Sequence, residues 1–151
     1  MNRKPILICY DGSAEAQGAI VQAAELLGQQ HAIVLDVGQV LTAVESLAMA
    51  SFAGGWAEIE ELNETQARDQ ARDGVEEARR AGFEAEGRAV LASPTWAGIV
   101  EVADEIDASV IVIGSRGLTG VHEALAESLS HTVAEHAGRP VLIVPRPTKG
   151  H

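Results

Sequence analysis

The chain is poor in the residues that staple, cross-link or decorate a protein. It has one cysteine, Cys9, so it can form no internal disulfide, and that residue sits in the apolar run ILICY, where it reads as a small core hydrophobe rather than a redox group. Aromatic residues make up only 3% of the sequence against 46% hydrophobic, so a core has to be assembled from Ala, Val, Ile and Leu. Those are the residues of buried strands and close helix–sheet packing. Positive charge is also scarce. Eleven Lys and Arg face 22 Asp and Glu, giving a net charge of −11 that repels nucleic-acid backbones and anionic membrane surfaces. No apolar run is long enough to span a bilayer, and the stretch before Asp11 is too short for a signal peptide, so the expected location is the cytoplasm.

What is present is an alternation of strands and helices. The 151 residues suit one domain, spanning 1–151, that buries about 68–70% of its unfolded surface. KPILICY (4–10) predicts a first strand, after which Ser13 caps a helix with Ala19, Ile20, Ala23, Ala24 and Leu27 on one face and Gly28 as its stop. HAIVLDV (31–37) predicts a second strand. Residues 38–55 are apolar without a clean period and read as a loop with short helical turns. Trp56 to Ala81 is helical and charged, with Glu and Arg spaced for i, i+4 pairs on a solvated face. FEAEGRAVL (83–91) alternates as an edge strand does. Ser93-Pro94 reads as an N-cap followed by proline at the first helical position, ahead of a stripe of Ile99, Val102, Ala103 and Ile106. ASVIVIG (108–114) is the fourth strand. A last helix carrying Leu129, Thr132, Val133 and His136 ends at Gly138, and PVLIVP (140–145) is the fifth strand.

Five strands with crossover-length connections imply an α/β fold: a parallel sheet of order 3-2-1-4-5 with helices on both faces, Rossmann-like or flavodoxin-like. In that order the chain reverses direction between strands 1 and 4. Ligands bind at the carboxyl ends of such a pair, which brings Asp11-Gly12-Ser13 together with Gly114-Ser115-Arg116-Gly117. A glycine-punctuated turn leading into a helix offers backbone N–H groups to an anion, and phosphate is the obvious guest.

These segments resemble the universal stress protein family: ILICYDGS at the start, GSRGLTG after the fourth strand and SLSHTVAEHAGRPVLIVP at the end, a likeness covering residues 4 to 146. The resemblance implies a cytoplasmic, non-enzymatic stress-response or regulatory protein that forms a homodimer through the last strand, Val141, Leu142, Ile143 and Val144. Some members bind ATP and others do not. The binding pattern is Gly, two residues, Gly, nine residues, then Gly with Ser or Thr. Here it falls on Gly114 and Gly117 but ends in Glu127-Ser128. By that pattern Asp11 and Val37 contact adenine, Gly114 the ribose, and Gly117, Ser128 and the backbone near Leu129 the phosphates, with ATP or AMP as ligand and Mg²⁺ as a companion ion.

Glu127 departs from the pattern in a way that physics makes consequential. It brings a Cβ, a long side chain and a negative charge to where a glycine would let backbone approach phosphate. Two like charges about 4 Å apart cost roughly 1 kcal/mol in water and about 4 kcal/mol at an effective dielectric near 20. The larger figure is about three orders of magnitude in affinity. The competing reading is structural: an acidic side chain in a helix's first turn is stabilised by the dipole, by about 0.3–1 kcal/mol.

Other residues carry weaker signals. Asp11 serves either as a ligand contact or as a brace for its own loop. Asp36 is an unusual charge inside a strand and needs either a partner or an exit to the sheet's end. His122, His131 and His136 are spaced nine and five apart, which does not place them on one helix face for a metal. Ser13, Ser115, Ser128 and Ser130 lack the GxSxG elbow of a hydrolase, and Arg116 serves equally as a phosphate contact or a surface residue. Three classes follow: a regulatory protein with an altered nucleotide pocket, an ATP- or AMP-binding switch, and a slow ATPase, for which no convincing general base is visible.

Overall fold

A computed structural model describes residues 3–39, 55–115 and 123–145. Its sheet has the order β3-β2-β1-β4-β5, with every neighbouring pair parallel. The elements are β1 (Ile6–Cys9), α1 (Ala14–Leu27), β2 (His31–Gln39), α2 (Gly55–Ala81), β3 (Glu84–Ala92), α3 (Thr95–Ile106), β4 (Val110–Gly114), α4 (Glu123–His136) and β5 (Val141–Val144). The expected α/β architecture is the observed one, and β3 takes the edge that its alternating pattern indicates. The loop expected over 38–55 lies largely outside the described residues.

Strand alternation divides the core in two. Ile6, Ile8, Tyr10 and Val34 face one way, against Ala19, Ile20 and Ala23 of α1 and Val75 and Ala78 of α2. Leu7, Cys9, Leu35, Ile111 and Ile113 face the other way, against Ile99, Val102 and Ala103 of α3 and Val133 of α4. A chain with so few rings achieves this by close approach. Glycine and alanine line the seam of α2, and a Cβ placed at Gly74 would lie 2.6 Å from the Tyr10 ring and 2.7 Å from Val34. The charged, solvated face read from the sequence is thus only one side of α2; Ala67, Ala71, Val75 and Ala78 are buried on the other.

Helix ends follow local chemistry with one correction. Ser13 is the N-cap of α1, its Oγ accepting from the Ala16 N–H at 3.1 Å, and Gly28 ends the helix at φ 74°. At α3 the expected Ser93 cap is displaced: Pro94 occupies the N-cap position, without a side-chain hydrogen bond, and Thr95 is the first helical residue. Proline's fixed φ suits an extended cap residue as well as a first helical one, so the Ser-Pro pair does not by itself set the register.

Candidate functional site

The cleft is built from two adjacent strand ends. β1 and β4 pair with Ile6 opposite Val110 and Ile8 opposite Val112, so the chain leaving Cys9 and the chain leaving Ile113 emerge side by side, about 5 Å apart as neighbouring strands must be. On the β1 side the turn is sharp. Gly12 takes φ 85°, a left-handed value that suits glycine, and a Cβ there would meet nothing within 4 Å. Asp11 Oδ1 accepts from the Ser13 N–H at 2.9 Å, and Ser13 in turn caps α1. Asp11 therefore braces its own loop, which aims the start of α1 at the cleft.

On the β4 side Gly114 closes the strand, paired with Val144, and the Ser115 N–H donates to the Val144 carbonyl at 2.9 Å. Gly114 lies in extended strand rather than in a tight turn. Arg116, Gly117 and His122 lie outside the described residues, as do the side chains of Glu127 and Ser128, whose backbones belong to α4. Leu129 is half-buried and packs into the core on the α3–α4 face, as does Val37 from β2. The sequence-derived residues thus divide: Asp11 and Gly114 stand at neighbouring strand ends, Val37 stands one strand over on β2, and the side chains of Val37 and Leu129 face the same layer of the core.

Two acidic groups of the β1–β2 end have been treated unequally by the fold. Asp36 is buried at 5% exposure, and its Oδ2 has no hydrogen-bond partner among the described residues. It does not exit to solvent, and no counter-ion reaches it among the described residues. Burial raises its pKa from the ordinary 3.8 to about 7, with the nearby Asp11 charge adding to the push. Cys9 is buried beside them, and desolvation with the same two carboxylates pushes its thiol up to about 12. That disposes of a reactive thiolate at this end of the sheet, as its apolar setting in sequence implied.

Among the described residues the histidines do not converge. His136 stacks on the Trp96 ring at 4.3 Å between centroids and contacts the Thr132 carbonyl, while His131 lies 3.2 Å from Glu135 on the same helix. Ser130 is buried. A feature that sequence reading did not pick out is an open groove of about 380 Å³ along α2 and β3, lined by Arg68, Arg72, Arg79 and Arg88. Each arginine there is already engaged: Arg68 with Glu64 at 3.5 Å, Arg72 with Asp69 at 3.6 Å, Arg79 with the Ala85 carbonyl at 2.9 Å, and Arg88 with Glu105. Three of these cations lie beside carboxylates and Arg79 donates to a neutral carbonyl, so it keeps its charge.

The chain is similar to known proteins over nearly its whole length. Residues 2–145 match the model of the universal stress protein family. The universal stress protein YxiE of Bacillus subtilis is 30% identical over 148 residues, covering 92% of this chain and 97% of that protein. Among solved structures, the hypothetical protein MJ0577 is 25% identical with a TM-score of 0.74, over 97% of this chain and 98% of its own. A universal stress protein solved in complex with cAMP is 24% identical with a TM-score of 0.64, over 93% and 96% of the two chains, a likeness of fold.

Proposed function

This chain belongs to the universal stress protein family, and from that premise we propose that it is a regulatory, non-catalytic stress-response protein of the cytoplasm whose β1/β4 cleft is an adenine-nucleotide pocket altered at Glu127. The observation that carries this reading is the pairing of β1 with β4, which sets the left-handed turn at Gly12 beside the end of Gly114 at the carboxyl edge of the sheet. Proteins of the same fold have been solved with cAMP, dAMP and AMP, which supports a ligand of that class. Asp11 and Val37 would meet the base, Gly114 the ribose, and Gly117, Ser128 and the Leu129 backbone the phosphates. In this reading Glu127 disfavours the triphosphate by charge repulsion, more than it disfavours a ligand with a single phosphate.

Equilibrium binding of ATP and AMP, each with and without Mg²⁺, to the native chain and to Glu127→Gly tests this. The expected result is weak ATP binding by the native chain and a gain of up to about a thousandfold on substitution, the equivalent of about 4 kcal/mol. ATP binding of equal strength in both proteins overturns the altered-pocket reading in favour of an ATP- or AMP-binding switch. Steady phosphate release from ATP by the purified chain would make it a slow ATPase and overturn the non-catalytic assignment. A homodimer through β5 completes the reading: this four-residue strand lies at the sheet edge with Ile143 at 38% exposure, an apolar edge that calls for a partner.

A further inference from the structure

The β3 edge of the sheet is unlike the rest of this acidic molecule. β3 is the end strand on its side and pairs with β2 in unbroken register from Glu84 to Ala92, with neither proline nor bulge. The Glu84 N–H donates to the Gln30 carbonyl at 3.1 Å, so the even-numbered residues of β3 turn their backbone groups toward β2. By alternation Ala85, Gly87, Ala89 and Leu91 turn N–H and C=O outward, away from the sheet. The Arg79 guanidinium donates to the Ala85 carbonyl at 2.9 Å, as an outward-facing carbonyl allows. Among the described residues no strand covers this row, and such a row is a template for pairing with another extended chain.

Charge along this edge has one sign. The open groove of about 380 Å³ between α2 and β3 is lined by four of the chain's eleven Lys and Arg and by no acidic residue, over a floor of alanine, valine and glycine. Arg68, Arg72 and Arg79 all come from α2, where the helical rise spaces them over about 16 Å, the span of about five residues of extended chain. Arg68 and Arg72 touch Glu64 and Asp69 only in exposed contacts of 3.5 and 3.6 Å, which solvent weakens. On the opposite face of β3 the exposed side chains at the start of the strand are Glu84 and Glu86, of the other sign.

We propose that the β3 edge docks an extended acidic segment of a partner protein, which adds a strand to the sheet and directs a carboxylate at every second position into the arginines of α2. The chemistry selects a peptide over other anions. The outward row holds both donors and acceptors, so its occupant must supply both, as a polypeptide backbone does and a phosphodiester backbone does not. The net charge of −11 repels a long polyanion beyond the groove, and a second copy of this chain would set the same arginines against each other. Side chains of the docked segment that face Glu84 and Glu86 must be uncharged or basic, so the recognised pattern alternates. The edge lies two strands from β1, which makes this surface separate from the β1/β4 cleft.

The test uses the native chain and a short fluorescent peptide that alternates Glu with Val, compared with the same peptide carrying Lys for Glu and with acidic peptides N-methylated in one or the other backbone alternation. The acidic peptide is expected to bind about tenfold or more tightly than its Lys counterpart, and to lose binding when methylated in one alternation but not in the other. The double change Arg68→Glu with Arg72→Glu, at two exposed positions, is expected to weaken binding about tenfold or more while leaving the thermal melt in place. A readout independent of any variant is amide hydrogen exchange in the native chain: the Gly87 and Ala89 N–H groups should exchange quickly when free and gain protection with the peptide, while those of Glu86 and Arg88 stay protected throughout. Absence of acidic-peptide binding overturns the proposal, as does binding of equal strength to the native and doubly substituted chains or binding without protection at Gly87 and Ala89. A single-stranded oligonucleotide of equal charge that binds as tightly and displaces the peptide would assign the arginines to a phosphate backbone and overturn the peptide reading.

Discussion

The ligand-free protein should lose stability as the solution is brought from acid to neutral pH because of one residue, Asp36, and replacing it should remove the effect. Its carboxyl titrates at about 7 in the fold against an ordinary value of 3.8, so between those limits the native state holds a proton that the unfolded chain releases. The contribution of this group is fully present below about pH 4 and is lost progressively as pH rises to about 7, beyond which the penalty is constant. A rise of about three pH units, at about 1.36 kcal/mol each, sets an upper limit of about 4 kcal/mol. Asp36→Asn keeps the shape and cannot ionise, but its amide must also find partners in a seam where Oδ2 has none among the described residues, at a cost of about 1–3 kcal/mol. The variant should therefore be equal to or less stable than the native chain near pH 5, and gain on it steadily toward pH 8. In a domain of this size each kcal/mol moves Tm by about 2–4 °C, so the crossover is readable by calorimetry or by urea melts at a series of pH values. A stability difference between the two proteins that does not change between pH 5 and 8 would refute the reasoning, since it would mean that Asp36 is ionised in the native state throughout.

Three further outcomes follow from the packing. Gly74→Ala puts a Cβ 2.6 Å from the Tyr10 ring, and the α2–sheet seam should lose about 1–3 kcal/mol by urea denaturation; an unchanged midpoint would show that α2 can lift without cost. Cys9, buried with its thiol pushed up to about 12, should resist thiol reagents in the native protein at pH 8 and react on unfolding; modification as fast as that of a free thiol would contradict its burial. Ile143→Lys, on the exposed side of β5, should shift sedimentation toward a monomer while leaving the thermal melt of the fold largely in place; sedimentation identical to the native chain would count against pairing through this edge. Val144 is the poorer choice for that experiment, because at 7% exposure it belongs to the core and a charge there would unfold the chain.

Particular residues show how far a linear reading reaches. Asp11, Gly12 and Ser13 were legible as the end of a strand and the start of a helix, because caps and left-handed glycines are local chemistry. The scarcity of rings and the runs ILIC and VIVIG fixed a sheet buried on both faces, and right-handed crossovers left the order 3-2-1-4-5 as the natural solution. The buried side of α2 was less visible. Ala67, Ala71, Gly74 and Ala78 are small rather than apolar in character, so the seam they form is hidden behind the charged residues that alternate with them. Gly74 was the available signal, since a glycine inside a long helix is unfavourable unless something packs close.

The sequence by itself determined the class of fold, the course of the strands and the meeting of two strand ends at one edge, because each of these depends on hydrophobic period, capping and connection length within short stretches of chain. Only the tertiary structure decided the state of Asp36. Its charge is evident from the letter alone, but whether a carboxylate lies in water, beside a cation or beneath alanines next to another acid depends on residues tens of positions away, brought together by folding. That placement, through desolvation and like-charge repulsion acting over a few ångströms, moves its titration into the neutral range.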